Sequence, residues 1–255
     1  MDTLKIAVLG GSGLKGQALA YRFAYAGHSV VLGASVIEHA AKAAEAVNSK
    51  LHGSAVVGSA ECGAAVEGAD VVLLAVAYRD QADVTTSVAH KLAGKIVISC
   101  INPIGSAPYR FDFVQSAAEE VARLAPGATV IGAFHHLHEQ RLWDSADLLD
   151  DDDVLVCGDS LVGKMAVMEL AAAITGRPGI DAGGLEHSRQ LEALTAVLIS
   201  INNRYLRHSG LSISGVSESG EDKSATARTA IKVIPDLVGY QTAKTNSPLL
   251  EKIHA

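Results

Sequence analysis

The chain has 255 residues, 49% of them hydrophobic, and a formal net charge of −7, which suits one α/β unit with a small appended domain and a real core. No basic stripe gathers the positive charge, so nucleic acid is excluded as a partner, and no apolar stretch approaches the roughly 18–20 residues of a membrane span. The first strand is expected to open by Lys5, which leaves no room for the apolar region of a secretory signal. Cys62, Cys100 and Cys157 stand far apart in apolar settings and read as reduced core residues, so a cytoplasmic protein is expected.

Residues 6–9 read as a strand. They lead into Gly10-Gly11-Ser12-Gly13-Leu14-Lys15-Gly16, and a stretch with helical spacing (Leu19, Phe23, Ala26) follows and stops at Gly27. Strand, glycine turn and helix in this order form a dinucleotide site. Gly11 permits the tight turn, Gly13 lets backbone N–H groups approach a pyrophosphate, Gly16 lets the helix pack closely, and the helix N-terminus adds partial positive charge. Further strand-like runs at 29–32, 55–57, 71–75, 95–99, 129–131 and 154–157 alternate with Ala-rich helical stretches at 40–47, 84–92, 117–124 and 161–174. The alternation predicts an α/β fold, a doubly wound, mainly parallel sheet with helices on both faces.

In such sheets ligands bind beyond the carboxyl ends of the strands. The segments Ala75-Val76-Ala77-Tyr78 and Asn102-Pro103-Ile104 fall there and are expected to wall the site. After the second strand, where an acid would hold the ribose of NAD, the chain reads Gly33-Ala34-Ser35-Val36. The missing acid favours NADP over NAD, yet no arginine awaits a 2′-phosphate. Ser35 can give one hydrogen bond, whereas Lys15, His39 and Lys42 can add charge only if they turn inward from a solvated face.

His135, His136 and His138, followed by Glu139, carry metal-ligating groups. Neighbours on an extended strand face opposite ways, so at most His136 and His138 share a side and His187 would have to join from further along the chain. No metal is therefore expected, and the four histidines are read as substrate contacts. His135 is placed in the cleft, hydrogen-bonding a bound partner, or donating a proton if that partner is a carbonyl or imine. The acids at 150–153 read as a solvated loop, and Asp159 as either a site residue or the N-cap of the helix from 161.

Helix breakers cluster at Gly176-Arg177-Pro178-Gly179 and Gly183-Gly184, which divides the chain into a dinucleotide-binding domain, 1–180, and a small C-terminal helical domain, 181–255. Residues 185–208 form one long helix, too apolar to face water alone, that is expected to pair two copies as a homodimer or to cover the cofactor domain. Residues 209–226 are polar enough to read as a flexible segment, and a terminal arm follows.

Four stretches carry a resemblance to the NADP-dependent oxidoreductases that reduce or oxidise the deazaflavin coenzyme F420. They are the glycine turn from Leu9 to Gly16, Gly132-Ala133-Phe134-His135, Val156-Cys157-Gly158-Asp159, and the run from Asp181 to Arg189. The resemblance implies a Rossmann-type domain with the deazaflavin between it and a small C-terminal domain, and direct hydride transfer between nicotinamide C4 and deazaflavin C5. Two departures stand out: Ala34-Ser35-Val36 replaces the family's Ser-Arg-Arg, and His135-His136-Leu137-His138 replaces its His-Thr-x-Pro. An oxidoreductase acting on NADP(H) and F420 is therefore expected. The competing readings are an NAD(P)-dependent reductase of a small keto, hydroxy or imine compound, and a dinucleotide-binding sensor without catalysis.

Overall fold

The computed structural model describes residues 3–51, 57–104 and 116–216. The chain forms β1 (Lys5–Leu9), α1 (Leu14–Tyr25), β2 (Ser29–Ala34), α2 (Ile37–Lys50), β3 (Val57–Glu61), α3 (Cys62–Glu67), β4 (Val71–Leu74), α4 (Tyr78–Leu92) and β5 (Ile96–Ser99). It continues through α5 (Ala117–Leu124), β6 (Thr129–Gly132), α6 (Glu139–Asp144), β7 (Leu155–Gly158), α7 (Leu161–Thr175), β8 (Ile180–Asp181) and, after a 3-10 turn at Leu185–His187, α8 (Ser188–Tyr205). The strands order as β3-β2-β1-β4-β5-β6-β7-β8. The first six run parallel, β7 pairs antiparallel with β6, and β8 is parallel to β7.

The central strands are continuous apolar runs because both faces of the sheet are covered. With a side-chain period of two, Ile6 and Val8 join one core with α1, α2 and α7, whereas Ala7 and Leu9 join the other with α3, α4 and α5. Strand order reverses between β1 and β4, which opens a crevice at their carboxyl ends. None of the described helices is long and apolar enough to cross a membrane.

Three elements escape the sequence pattern: the short helices α3 and α6, and the two-residue β8. The expected boundary at 180 falls inside β8, whose backbone pairs with β7 (Leu155 beside Ile180). Of the strand expected at 55–57, only Val57 lies among the described residues, and there β3 begins and runs on to Glu61. The antiparallel β7 has a local cause. A parallel neighbour requires a crossover back along the sheet, and between β6 and β7 the chain holds only the six-residue α6. The chain therefore stays at the carboxyl end of the sheet and supplies that end with the histidines and the acidic run.

The acidic run is solvated only in its first half, at Asp150 and Asp151. Asp152 and Asp153 are 1% and 2% exposed. Asp152 pairs with Arg141 and accepts the backbone N–H of Leu211 at 2.7 Å, while Asp153 pairs with Arg177 at 2.9 Å and accepts that of Ile213 at 2.7 Å. Leu211 and Ile213 thereby tie residues 209–213 of the expected flexible segment, as a strap, to the start of β7, and the part at 217–226 lies outside the described residues along with the arm. Gly210 is required in the strap, because a Cβ there would overlap the Arg141–Asp152 pair. Asp159 is not the cap of α7, a role taken by Ser160; its carboxylate accepts Leu185 N–H at 2.9 Å and fixes the approach to α8.

Near the same end α8 is docked by a buried carboxyl group. Glu192 is buried, and its carboxylate accepts the N–H groups of Ala117 and Ala118 at 3.0 and 3.2 Å, at the start of α5. Desolvation nevertheless raises its pKa to about 7, the amides drawing it only part of the way back. The folded chain thus holds this proton to higher pH than the unfolded chain, so its contribution is complete below the ordinary carboxyl range and declines as pH rises toward 7. We expect the midpoint of thermal unfolding to fall over that window and Glu192→Gln to flatten the decline; parallel slopes in the two proteins would refute the assignment.

Candidate active site

The glycine turn is built by close approach. Gly10 has φ +80°, and a Cβ on it would lie 2.7 Å from the carbonyl oxygen of Ala75 beyond β4; one on Gly16 would lie 2.7 Å from the carbonyl oxygen of Gly10. Gly11 is closed in by Leu32 on β2. Gly13 differs: its φ of −79° suits any residue, and a Cβ would meet only the oxygen of Gly10, at 3.4 Å. Its outer side is open. No side chain caps the first turn of α1, so its leading N–H groups stay available to an anion.

From this turn a cavity of about 310 Å³ runs along the ends of β4, β5 and β6 to α8. Of the residues singled out in the sequence, it gathers Lys15, Ala75, Val76, Asn102, Ile104, His135, His136, His138 and Glu139. Its remaining walls are not assigned to the site from the sequence, although the helix expected over 185–208 is one that can cover the cofactor domain. Cys100 and Ile101 come from the end of β5, Leu137 from the histidine loop, and Thr195, Leu198, Ile199 and Asn202 from one face of α8. The spacing of Thr195, Leu198, Ile199 and Asn202 is a helical stripe, the one signal that could have marked them.

The histidines do not alternate on a strand, because β6 stops at Gly132 and Phe134 turns the chain with φ +62°. His135, His136 and His138 all reach the same cavity in consequence. His135 is 1% exposed, and burial lowers its pKa to about 3, with His136 and Lys15 adding to the effect. Burial, reinforced by Lys15, holds His136 at about 4. Both imidazoles are neutral at physiological pH. Among the described residues neither ring nitrogen of His135, nor Nε2 of His136, Oδ1 of Asn102 or Oγ1 of Thr195, has a partner in good hydrogen-bond geometry, the Ile101 backbone only approaching His135. Buried polar atoms left open in this way mark where a ligand's polar edge belongs.

His138 sits at the rim. Its Nδ1 accepts the N–H of Gln140 at 3.1 Å and caps α6, so Nε2 carries the hydrogen and faces Nδ1 of His208 at 3.0 Å. Lys15 is not on a solvated face: its ammonium turns beneath the histidine loop and donates to the carbonyl oxygens of Leu137 and, at 3.5 Å, His135. Asn102 reinforces the second contact, donating to His135 O at 3.1 Å. Ala34 is buried at the end of β2, whereas Ser35, Val36, His39 and Lys42 are exposed.

Other expected residues stay apart. Ser12 and Leu14 are exposed on the turn, Ala77 is the exposed N-cap of α4, and Pro103 is buried off the cavity. Tyr78 packs into the core on the opposite face of the sheet and pairs with Glu120. His187 does not join the other histidines; it is exposed and lies over Gly183. Among the described residues no three His, Cys, Asp or Glu side chains converge as a metal site would require.

Residues 5–103 match the family described as NADP oxidoreductase coenzyme F420-dependent. The F420-dependent NADP reductase of Methanothermobacter thermautotrophicus is 36% identical over 227 residues, covering 84% of this chain and 97% of that protein. The protein of the same name from Methanocaldococcus jannaschii is 36% identical over 212 residues, covering 79% and 94%. A crystal structure of a protein from Arthrobacter sp. FB24 has the same fold, with a TM-score of 0.72 at 23% identity over 83% of this chain and 99% of that one.

The glycines separate fold from binding. Gly13→Val should leave the thermal midpoint nearly unchanged and abolish dinucleotide binding in a calorimetric titration, since its side chain occupies the open space over the turn. Gly16→Ala should destabilise the fold itself, because the atom it would strike is backbone. Undiminished affinity in Gly13→Val would remove the diphosphate from this turn.

Proposed function

Because this chain belongs to the family of coenzyme F420-dependent NADP oxidoreductases, we propose that it transfers hydride between NADP(H) and coenzyme F420. One observation carries the reading: the glycine turn abuts Ala75 and Val76, and these open the cavity that ends at the unpaired polar atoms of Asn102, His135, His136 and Thr195. A diphosphate on the open leading amides of α1, from Leu14 to Gly16, directs the nicotinamide toward that cavity. NADP(H) and F420, when bound, supply the hydride-exchanging carbons, nicotinamide C4 and deazaflavin C5.

The protein's share is to hold two flat rings together and keep water out. Ile101, Leu198 and Ile199 give the cavity apolar walls, and the neutral imidazoles offer hydrogen bonds to polar ring edges. His135 contacts the reacting partner through such bonds. Burial holds its pKa at about 3 and keeps it neutral at neutral pH, so it offers an N–H hydrogen bond but is a poor general acid. This tells against a carbonyl or imine reductase that draws on it as an acid.

At the ribose end we assign Ala34 and Ser35 to the adenosine side, with the uncapped start of α2 at Val36 beside them. The dinucleotide-binding part extends to about residue 180, and the helical part beyond it supplies the far wall through α8. Val197, Ile201, Tyr205 and Leu206 are exposed along α8 and give a homodimer its contact face. A cytoplasmic location accords with three free cysteines.

Mixing the protein with NADPH and oxidised F420 should bleach the deazaflavin absorption. Consumption of NADPH by small carbonyl or imine compounds alone would favour the second reading, and saturable binding without turnover would favour a sensor. Val36→Arg should shift preference toward NADP over NAD by about tenfold, the worth of one new charge-assisted hydrogen bond. An unchanged ratio of the two affinities would place the ribose elsewhere.

A further inference from the structure

Lys15 is set apart from every other cation near the cavity. It stands in the first turn of α1, borders the cavity, and donates only to backbone carbonyls of the histidine loop; among the described residues no carboxylate pairs with it. Glu139 and Asp152 act on it only through their field, and burial lowers its pKa from the ordinary lysine value. Around it stand neutral groups: His135 and His136, and the Cys100 thiol, which burial raises to about 11. An ammonium has three hydrogens, and two are engaged by carbonyls, which leaves one for a ligand. The cavity floor therefore carries one positive charge with no hydrogen-bonded counter-ion among the described residues, offset only at a distance by Glu139 and Asp152, in a largely buried setting where its field is weakly screened.

We propose that Lys15 selects the second substrate by charge, favouring a flat acceptor whose polar edge gains negative charge as hydride arrives. This rests on the hydride-transfer reading and deepens it. Hydride transfer breaks the C–H bond at nicotinamide C4 and forms one at C5 of the acceptor. The nicotinamide is oxidised, the acceptor is reduced, and the incoming electron pair's charge spreads to the acceptor's polar edge until a proton from solvent neutralises it. A fixed ammonium stabilises that charge as it develops and does little for a ring that remains neutral. Lys15 is accordingly no partner of the ribose 2′-phosphate, since its ammonium is committed beneath the histidine loop, on the cavity side of the turn.

The test compares Lys15→Arg, Lys15→Gln and Lys15→Met with the wild-type protein in three measurements: thermal midpoint, NADPH affinity, and kcat and KM for F420. Gln keeps donor hydrogens for the carbonyls without charge, whereas Arg keeps both. Gln and Met should lower kcat/KM for F420 by about 100-fold, mainly in kcat, with NADPH affinity held within about threefold, and Arg should recover most of the loss. Retained activity in Lys15→Gln would reduce Lys15 to a pin for the loop and overturn the proposal, as would a parallel loss of NADPH affinity. Should Lys15→Met fail to fold, the Gln and Arg pair carries the comparison alone. A wild-type protein that binds NADPH but does not reduce F420 would overturn the functional reading and this proposal together, whereas reduction of F420 at equal rates in all four proteins would overturn this proposal only.

Discussion

The structure depends on an approach between two backbones that admits no side chain. At Gly10 the end of β1 meets the end of β4 so closely that even a methyl group would collide with a carbonyl oxygen, and at Gly16 the first helix closes on the same turn. These contacts bring the start of α1 to the crevice where strand order reverses. The cavity follows from them: its near wall is the pair Ala75 and Val76 against which Gly10 rests.

The far wall is held by different physics. α8 presents Thr195, Leu198, Ile199 and Asn202 to the cavity, and it is fastened by buried carboxylates rather than by apolar burial alone. Glu192 grips the start of α5, and Asp152 and Asp153 grip the strap that follows α8, each compensated by an arginine. Buried ionic contacts of this kind add little net stability against apolar alternatives, but they leave few other seats for the element they hold. One half of the site is thus set by steric exclusion and the other by electrostatic registration.

The sequence spells out the first half and conceals the second. Strand, glycine turn and helix are local features, so 6–9, the turn and the helix to Gly27 could be read from spacing, as could the alternation up to α7. The histidines were visible but not their arrangement, because a single φ-positive Phe134 ends the alternation that a strand would impose. Lys15 looked solvated because surface position is the ordinary fate of lysine, and nothing local marks carbonyl acceptors 120 residues away. The acidic run misled for a similar reason: four adjacent acids repel one another in a free chain, whereas here Arg141, Arg177 and two strap amides compensate the last two, Asp152 and Asp153. Long-range pairing of this kind has no signature in periodicity.

Phe134 is a bulky residue held in a left-handed backbone conformation that costs on the order of 1–2 kcal/mol. Its ring is wholly buried and stacks edge-on against Phe23 of α1, at 5.8 Å between centroids. The aromatic core under the sheet therefore acts as a clamp on a sprung backbone, and the imidazoles beside it owe their placement to hydrocarbon packing that no ligand ever meets. Evolution of a new acceptor preference in such a scaffold can begin in the oil, through the volume at position 23, without touching a single cleft residue.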